Sequence, residues 1–434
     1  MNPIIIALLA IVVLILLGCN IGVSFLSVSL IYTLLQGGRV ASFLNTAFTA
    51  ANSYSLLAVP LFTLGGILME KSGIADKLID WCERLLRKVK GGMGAVIPVV
   101  SMLYGMLTGS ALATVNTVGN ILIPRMERLG WNKRYTAALV AASAPLGFMI
   151  PPNMNAIIFA MVSTASVSDL FLASIVPGII WGIGYVILNR FIYRKWMDAP
   201  VDEAEVAAQA VREEKSLARL TYEAIPSFMM PLIILGGIYG GIFSPTEAGA
   251  VSALYAMLIG LFLYRRLDAR GVFSCFSATG RNLGTVLLIM PLASIFTKIM
   301  IMDGLPDLVM NALLSITDNK VILLLLLDVV FLLAGCFFEA NVLTLVIPPI
   351  MMPTMTALGV SPVQFGVIVY MAIGIGAATP PMATALFMSA KIADRKIHEL
   401  VAPLLPMLGV VAIPVMLLVT FIPELSCWLP ELLS

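Results

Sequence analysis

Apolar stretches of transmembrane length recur along the chain at about 3–34, 51–70, 135–163, 170–190, 225–242, 247–263, 282–301, 364–389 and 401–421. Continuous apolar runs of this length predict membrane-spanning helices, which satisfy their backbone groups without water. Two further segments, 92–124 and 321–353, fit neither one crossing nor two. Each has 33 residues. A straight helix of that length runs about 50 Å against a hydrocarbon core of about 30 Å, whereas two full crossings need about 40 residues. The first segment carries Thr108-Gly109-Ser110 near its middle, and the second carries Glu339 and Asn341. Polar middles predict re-entrant hairpins whose tips stop inside the bilayer, where exposed backbone is tolerated only if protein or a water-filled cavity surrounds it.

Composition agrees with this setting: 60% of residues are hydrophobic and 12% charged. The fold class read from the chain is an all-α polytopic membrane protein. A net charge of +2 with scattered Lys and Arg excludes a nucleic-acid surface. Cys19, Cys82, Cys275, Cys336 and Cys427 show no metal-ligand spacing and read as small buried side chains. The N-terminus, MNPIIIALLA, has no basic region ahead of its apolar run, so a retained membrane segment is expected. If the N-terminus is cytoplasmic and both hairpins return to the side they enter from, 23 of the 26 Lys and Arg fall on the cytoplasmic side, leaving Arg39, Lys298 and Lys320. A single crossing at either hairpin would invert everything after it and erase the bias.

The long polar connection 197–224 divides two related halves. Pro124, Leu129, Gly130, Gly147, Pro151 and Pro152 reappear 229 positions later as Pro353, Leu358, Gly359, Gly376, Pro380 and Pro381. Upstream, Gly105 matches Gly335, and Gly73 with Asp76 matches Gly304 with Asp307 after small gaps. The first hairpin is flanked by basic residues and the second by Asp303, Asp307 and Asp318, so the repeats have inverted topology. The organisation read from this is an N-terminal broken membrane helix (1–50), repeat one (51–196, hairpin 92–124, broken helix 135–163), a cytoplasmic connector (197–224), repeat two (225–421, hairpin 321–353, broken helix 364–389) and a tail (422–434). Inverted repeats with broken helices point to a secondary transporter with sites near the midplane. Proline within a helix frees a carbonyl one turn earlier, and such oxygens suit hard cations, whereas helix N-termini attract anions.

Several residues carry a plainer reading beside the functional one. The Thr108, Ser110 and Thr114 hydroxyls are of a kind that often bonds a neighbouring helix. Glu339 is functional by default as an intramembrane carboxylate. His398 sits at a membrane edge and Lys298 reads as snorkelling. No His-Glu-x-x-His motif and no suitably placed acid pair occurs, so an intramembrane enzyme lacks its chemistry.

The segments "GIFSPTEAGAVSALYAMLIGLFLYR", "TGSALATVNTVGNILIP", "GFMIPPN" and "GAATPPMATALF" resemble signature segments of the large membrane subunit of tripartite ATP-independent periplasmic (TRAP) transporters. The similarity runs over nearly the whole chain. It implies sodium-coupled import of a small organic anion, a carboxylate, by an elevator movement in the bacterial inner membrane; the Lys and Arg bias, separately, leads to a cytoplasmic N-terminus and a periplasmic C-terminus. The resemblance also implies three partners besides the anion: a small four-helix membrane subunit, a periplasmic solute-binding protein and membrane lipid. No cofactor is implied beyond sodium as coupling ion. By the resemblance one sodium site falls on Thr108, Gly109, Ser110, Thr114, Ser143 and Gly147, and another on Glu339, Asn341, Gly376, Thr379 and Met382. The substrate-facing positions are Ser110, Asn153, Asn341 and Ala383. After Thr-Pro-Pro the family usually has Gly and then Asn, where this chain has Ala383 and Ala385, so the substrate is not read from the sequence. A stand-alone sodium/dicarboxylate symporter of related hairpin architecture is the alternative.

Overall fold

The computed structural model describes residues 3–37, 40–86, 89, 91–198, 216–338, 340–381 and 383–433. Glu339, Met382, Arg39, Arg87, Lys88, Lys90, Arg212, Lys215 and most of the 197–224 connector lie outside the described residues. The described chain is helical, with an isolated β-bridge between Trp131 and Met197. Among the described residues eight helices are long and apolar enough to cross a membrane, or up to nine if the bent pair in repeat one is taken as one span.

The apolar run 3–34 is not one crossing. It forms two helices, Pro3–Leu16 and Ile21–Leu35. Pro3, Ile6 and Ala10 line one groove together with Val28, Ile31 and Gln36, so the two helices lie antiparallel. Gly18 makes the turn at φ +83°, and Asn20 caps the second helix by accepting the Gly22 N–H at 3.0 Å. Residue 3 therefore lies at the same end of this helix pair as residue 36, and the reading of 3–34 as a single apolar span is corrected.

Helices Ala58–Ser72 and Pro245–Leu258 form a close pair. A Cβ on Gly65 would come within 2.7 Å of Ser252 Oγ. The Ser-Pro-Thr-Glu-Ala signature turns out to be a helix start. The Ser244 Oγ accepts the Glu247 N–H at 3.3 Å, the Glu247 carboxylate accepts the Ser244 N–H at 2.8 Å, and Pro245 occupies the first turn. Ser244→Ala should lower stability by about 1 kcal/mol without touching transport chemistry. A thermal-melting series on purified protein checks this, and an unchanged melting point would rule out the cap as a stabiliser.

The first hairpin consists of Gly92–Thr108 and Ala111–Arg128, joined at Gly109, whose φ of +60° suits glycine. The second consists of Lys320–Phe337 and Ala340–Ala357. Each broken helix stops at its Pro-Pro pair, because proline supplies no N–H to continue the ladder. In repeat one Lys133–Ser143 and Leu146–Met149 precede the break and Met154–Val162 follows it, with a bend of 52°. In repeat two the halves are Pro362–Ala378 and Thr384–Ile392. The residues before the two breaks share an extended backbone, with φ/ψ of −90°/123° at Ile150 and −106°/129° at Thr379. Both Pro-Pro bonds, Pro151-Pro152 and Pro380-Pro381, are cis. The foot of the first hairpin is tied to the amphipathic helix Ile74–Leu86 by Arg125, which donates to Asp80 at 3.0 Å and Glu83 at 2.8 Å.

Candidate functional site

Glycine pairs bring each hairpin onto its own broken helix. In repeat one a Cβ on Gly105 would overlap Gly147 and lie 2.7 Å from its carbonyl oxygen. A Cβ on Gly147 would overlap the Thr114 hydroxyl and lie 3.1 Å from the Ser110 carbonyl oxygen. In repeat two a Cβ on Gly335 would lie 2.5 Å from the Ala372 carbonyl oxygen, and one on Gly376 would overlap the Gly335 carbonyl and lie 2.7 Å from the Cys336 nitrogen. Main chain meets main chain at both places, so carbonyls of two helices share one small volume. The glycines matched between the halves are the contacts themselves.

Oxygen groups gather around these contacts. Thr114 donates to the Ser110 carbonyl at 2.8 Å, Thr108 donates to the Tyr104 carbonyl at 3.3 Å, and Ser110 caps the second arm by accepting from Ala113 at 3.4 Å. Ser143 lies one turn before Gly147, fully buried, and its hydroxyl has no partner among the described residues. The structure thus brings Ser110, Thr114 and Gly147 together and leaves a free hydroxyl next along the same helix. In repeat two the Thr379 hydroxyl donates to the Ile375 carbonyl at 2.7 Å, and the Thr379 N–H bonds the Gly376 carbonyl at 2.9 Å. Donation leaves the threonine oxygen's lone pairs available. Asn341 shares a cavity with Gly376, whereas Thr379 is not among the residues that line it.

That cavity, about 160 Å³, lies where the two repeats meet. Gly109, Ser110 and Leu112 contribute from the first hairpin, Phe338 and Asn341 from the second, and residues beside both breaks complete the wall. Of the sequence-derived positions, Gly109, Ser110, Asn341, Gly376 and Ala383 line it; Thr108, Thr114, Ser143, Gly147, Asn153 and Thr379 do not. Asn153 caps Met154–Val162 instead, accepting from Ala156 at 2.6 Å, and its amide nitrogen is buried without a partner among the described residues. Ala383 takes φ +34°, ψ 49°, a left-handed conformation that suits glycine, so this chain keeps a methyl group on the cavity wall at a backbone cost.

No charged side chain lines the cavity among the described residues. Helix ends are the charged features that the described residues bring to it. Four helices begin here, at Ala111, Met154, Ala340 and Thr384, and four end here, at Thr108, Met149, Phe337 and Ala378. Each N-terminus carries about half a positive charge and each C-terminus about half a negative one, so the same chamber offers donors to an anion and carbonyls to a cation.

Sequence reasoning missed Asn155 and Thr384, both on the cavity wall. They stand 229 positions apart, so the repeat offset itself could have found them. It also missed Asp328, 2% exposed within Lys320–Phe337, which accepts from Thr420 at 3.2 Å while its second oxygen has no partner among the described residues. A lone carboxylate in a leucine run gave no spacing signal.

Residues 8–425 match the family described as the tripartite ATP-independent periplasmic transporter, DctM component. This chain belongs to that TRAP transporter family. Over 420 residues it is 33% identical to the sialic acid TRAP transporter large permease protein SiaM of Vibrio cholerae, covering 96% of this chain and 95% of that one. It is 30% identical to the C4-dicarboxylate TRAP transporter large permease protein DctM of Pseudomonas aeruginosa, with 94% of each covered. Similarity to the isethionate TRAP transporter permease protein DctMQ of Oleidesulfovibrio alaskensis is 32%, over 87% of this chain and 58% of that longer one. Among solved structures the fold is similar to the YdaH transporter of Alcanivorax borkumensis, with TM-score 0.61 and 16% identity over 88% of this chain and 86% of that one. A TRAP large permease is a membrane transporter component and not an enzyme, and its secondary transport of organic acids accords with a chamber built from helix ends.

Proposed function

We propose that this TRAP permease imports a small organic anion, a carboxylate, across the bacterial inner membrane in symport with sodium. The convergence of helix N-termini and C-termini on one cavity carries the reading, because it provides for an anion and for cations at once. The donor set fits sodium: the Ser110 carbonyl, the Thr114 and Ser143 hydroxyls and the backbone at Gly147 on one side, and Gly376, Thr379 and Asn341 on the other, are all oxygen ligands of the kind hard cations take. Among the described residues no three His, Cys, Asp or Glu gather as they would for a transition metal. A volume of about 160 Å³ lies below the roughly 300–1,000 Å³ of drug-sized pockets and favours a compact acid.

The anion enters between the hairpin tips and takes hydrogen bonds from Ser110, Asn155, Asn341 or Thr384 and from the helix N-termini. Sodium occupies the carbonyl-rich crevices beneath the tips, and its charge raises the affinity of the neighbouring N-termini for carboxylate. The glycine contacts join each hairpin to its broken helix as one body, which supports an elevator movement in place of independent flap opening. A periplasmic solute-binding protein delivers the substrate and a small four-helix membrane subunit accompanies the permease. The charge bias together with the antiparallel N-terminal helices supports a periplasmic side for both termini.

Uptake into proteoliposomes carrying both membrane subunits, with the binding protein outside, should require a sodium gradient and no ATP. Equal uptake in sodium and in choline would sink sodium coupling. Transport of dilute substrate without the binding protein would instead favour a stand-alone symporter.

A further inference from the structure

A second cavity, about 520 Å³, opens at the membrane edge far from the transport chamber. Its walls come from the ends of three helices, with Lys77 and Glu223 on one side, Leu263, Tyr264 and Arg266 on another, and Gly73 at its base. These ends fall on the basic, cytoplasmic side of the charge map. Lys77 and Arg219 both bind the one carboxylate of Glu223, at 2.7 and 3.2 Å. The Arg266 backbone N–H bonds the Gly260 carbonyl at 3.0 Å, and its guanidinium has no hydrogen bond or ion pair among the described residues. Among the described residues two cations, Lys77 and Arg266, line the cavity with one acid, Glu223.

The free guanidinium is held in place. A Cβ on Gly73, where φ is +81°, would come within 3.2 Å of Arg266 Cγ, so the arginine stem lies across a glycine that leaves room for it. The chain reaches Arg266 through Arg265, a non-glycine residue at φ +51°, which turns it out of the preceding helix. At the matching turn in repeat two, Gly304 at φ +83°, the atom within 4 Å of such a Cβ is an oxygen of Asp307, at 3.8 Å, in place of an arginine stem. The two repeats share the turn, and an arginine stem crosses the cytoplasmic copy. Ile225 and Leu263 on the cavity rim are exposed, as is the neighbouring Phe262, and at this depth such side chains face acyl chains.

We propose that this cavity binds the phosphate headgroup of an anionic phospholipid, with Arg266 as the principal contact, Lys77 as the second, and the acyl chains running along Ile225, Phe262 and Leu263. A positive pocket between helices on the cytoplasmic side matches that headgroup in charge and depth. The assignment is independent of sodium coupling and of the transported anion.

Native mass spectrometry of the detergent-purified full chain, titrated with phosphatidylglycerol or phosphatidylcholine, tests it. Arg266→Gln should weaken phosphatidylglycerol binding about fivefold, the equivalent of about 1 kcal/mol for one lost cation at a membrane surface. Arg266→Lys should retain most of the binding, Arg270→Gln, exposed and outside the cavity, should change nothing, and phosphatidylcholine should not distinguish the proteins. Equal phosphatidylglycerol affinity in wild type and Arg266→Gln overturns the proposal. Displacement of the lipid by an equal concentration of glycerol 3-phosphate overturns it too, because the site would then read a soluble phosphate.

Discussion

Gly376→Ala should reduce uptake by about 100-fold, the scale of loss that a displacement of about 1 Å produces in a preorganised site. The added methyl has nowhere to go. It would overlap the Gly335 carbonyl and press on the Cys336 nitrogen, and both are main-chain atoms that no rotamer change removes. The second hairpin must move away from its broken helix, and overpacking of this kind costs about 1–3 kcal/mol. Gly105→Ala should act in the same way in repeat one, where the methyl would meet Gly147. Gly284→Ala is the control: a Cβ there has no neighbour within 4 Å, so uptake and yield should be unchanged. Wild-type uptake by Gly376→Ala would show that the hairpin and the broken helix are not joined through this contact.

Thr379→Val should raise the sodium concentration for half-maximal uptake by about one to two orders of magnitude, the effect of losing one polar ligand worth roughly 1–3 kcal/mol. The substitution keeps β-branching and volume and removes the oxygen alone. The extended backbone at this position is shared with Ile150 in repeat one, which is apolar already, so Ile150→Val tests the same backbone without an oxygen and should leave the sodium dependence as it is. Sodium titration of uptake reads both variants. Unchanged sodium dependence in Thr379→Val would reduce the second Pro-Pro break to a structural bend and remove Thr379 from the cation site.

The parts of this architecture that were legible in the sequence are those that depend on residues with few substitutes. Pro151-Pro152 and Pro380-Pro381 announce breaks because proline cannot continue a helix, and Gly147 and Gly376 recur because two main chains touch there. The fold-back at Gly18 was hidden because the helices on either side are as apolar as a single span, and hydrophobicity along a chain does not record a change of direction. Ser244-Pro245-Thr246-Glu247 was distinctive enough to indicate a family, and in the structure it is a capping box, so a strong motif can report helix initiation. Thr379 and Asn153 were found by their place beside the breaks, but that place does not say which face of the chain opens to the cavity, and neither residue lines it.

The helix ends that converge on the chamber bear on how such a protein diversifies. A fixed arginine would bind each descendant to one geometry of carboxylate, whereas helix ends belong to the backbone and persist through almost any exchange of side chains. Drift at Leu112, Phe148, Ile373 or Ala383 can then reshape the space behind the acid group while its capture is inherited unchanged. New cargo specificities become reachable by single steps that never pass through an ancestor unable to hold an anion.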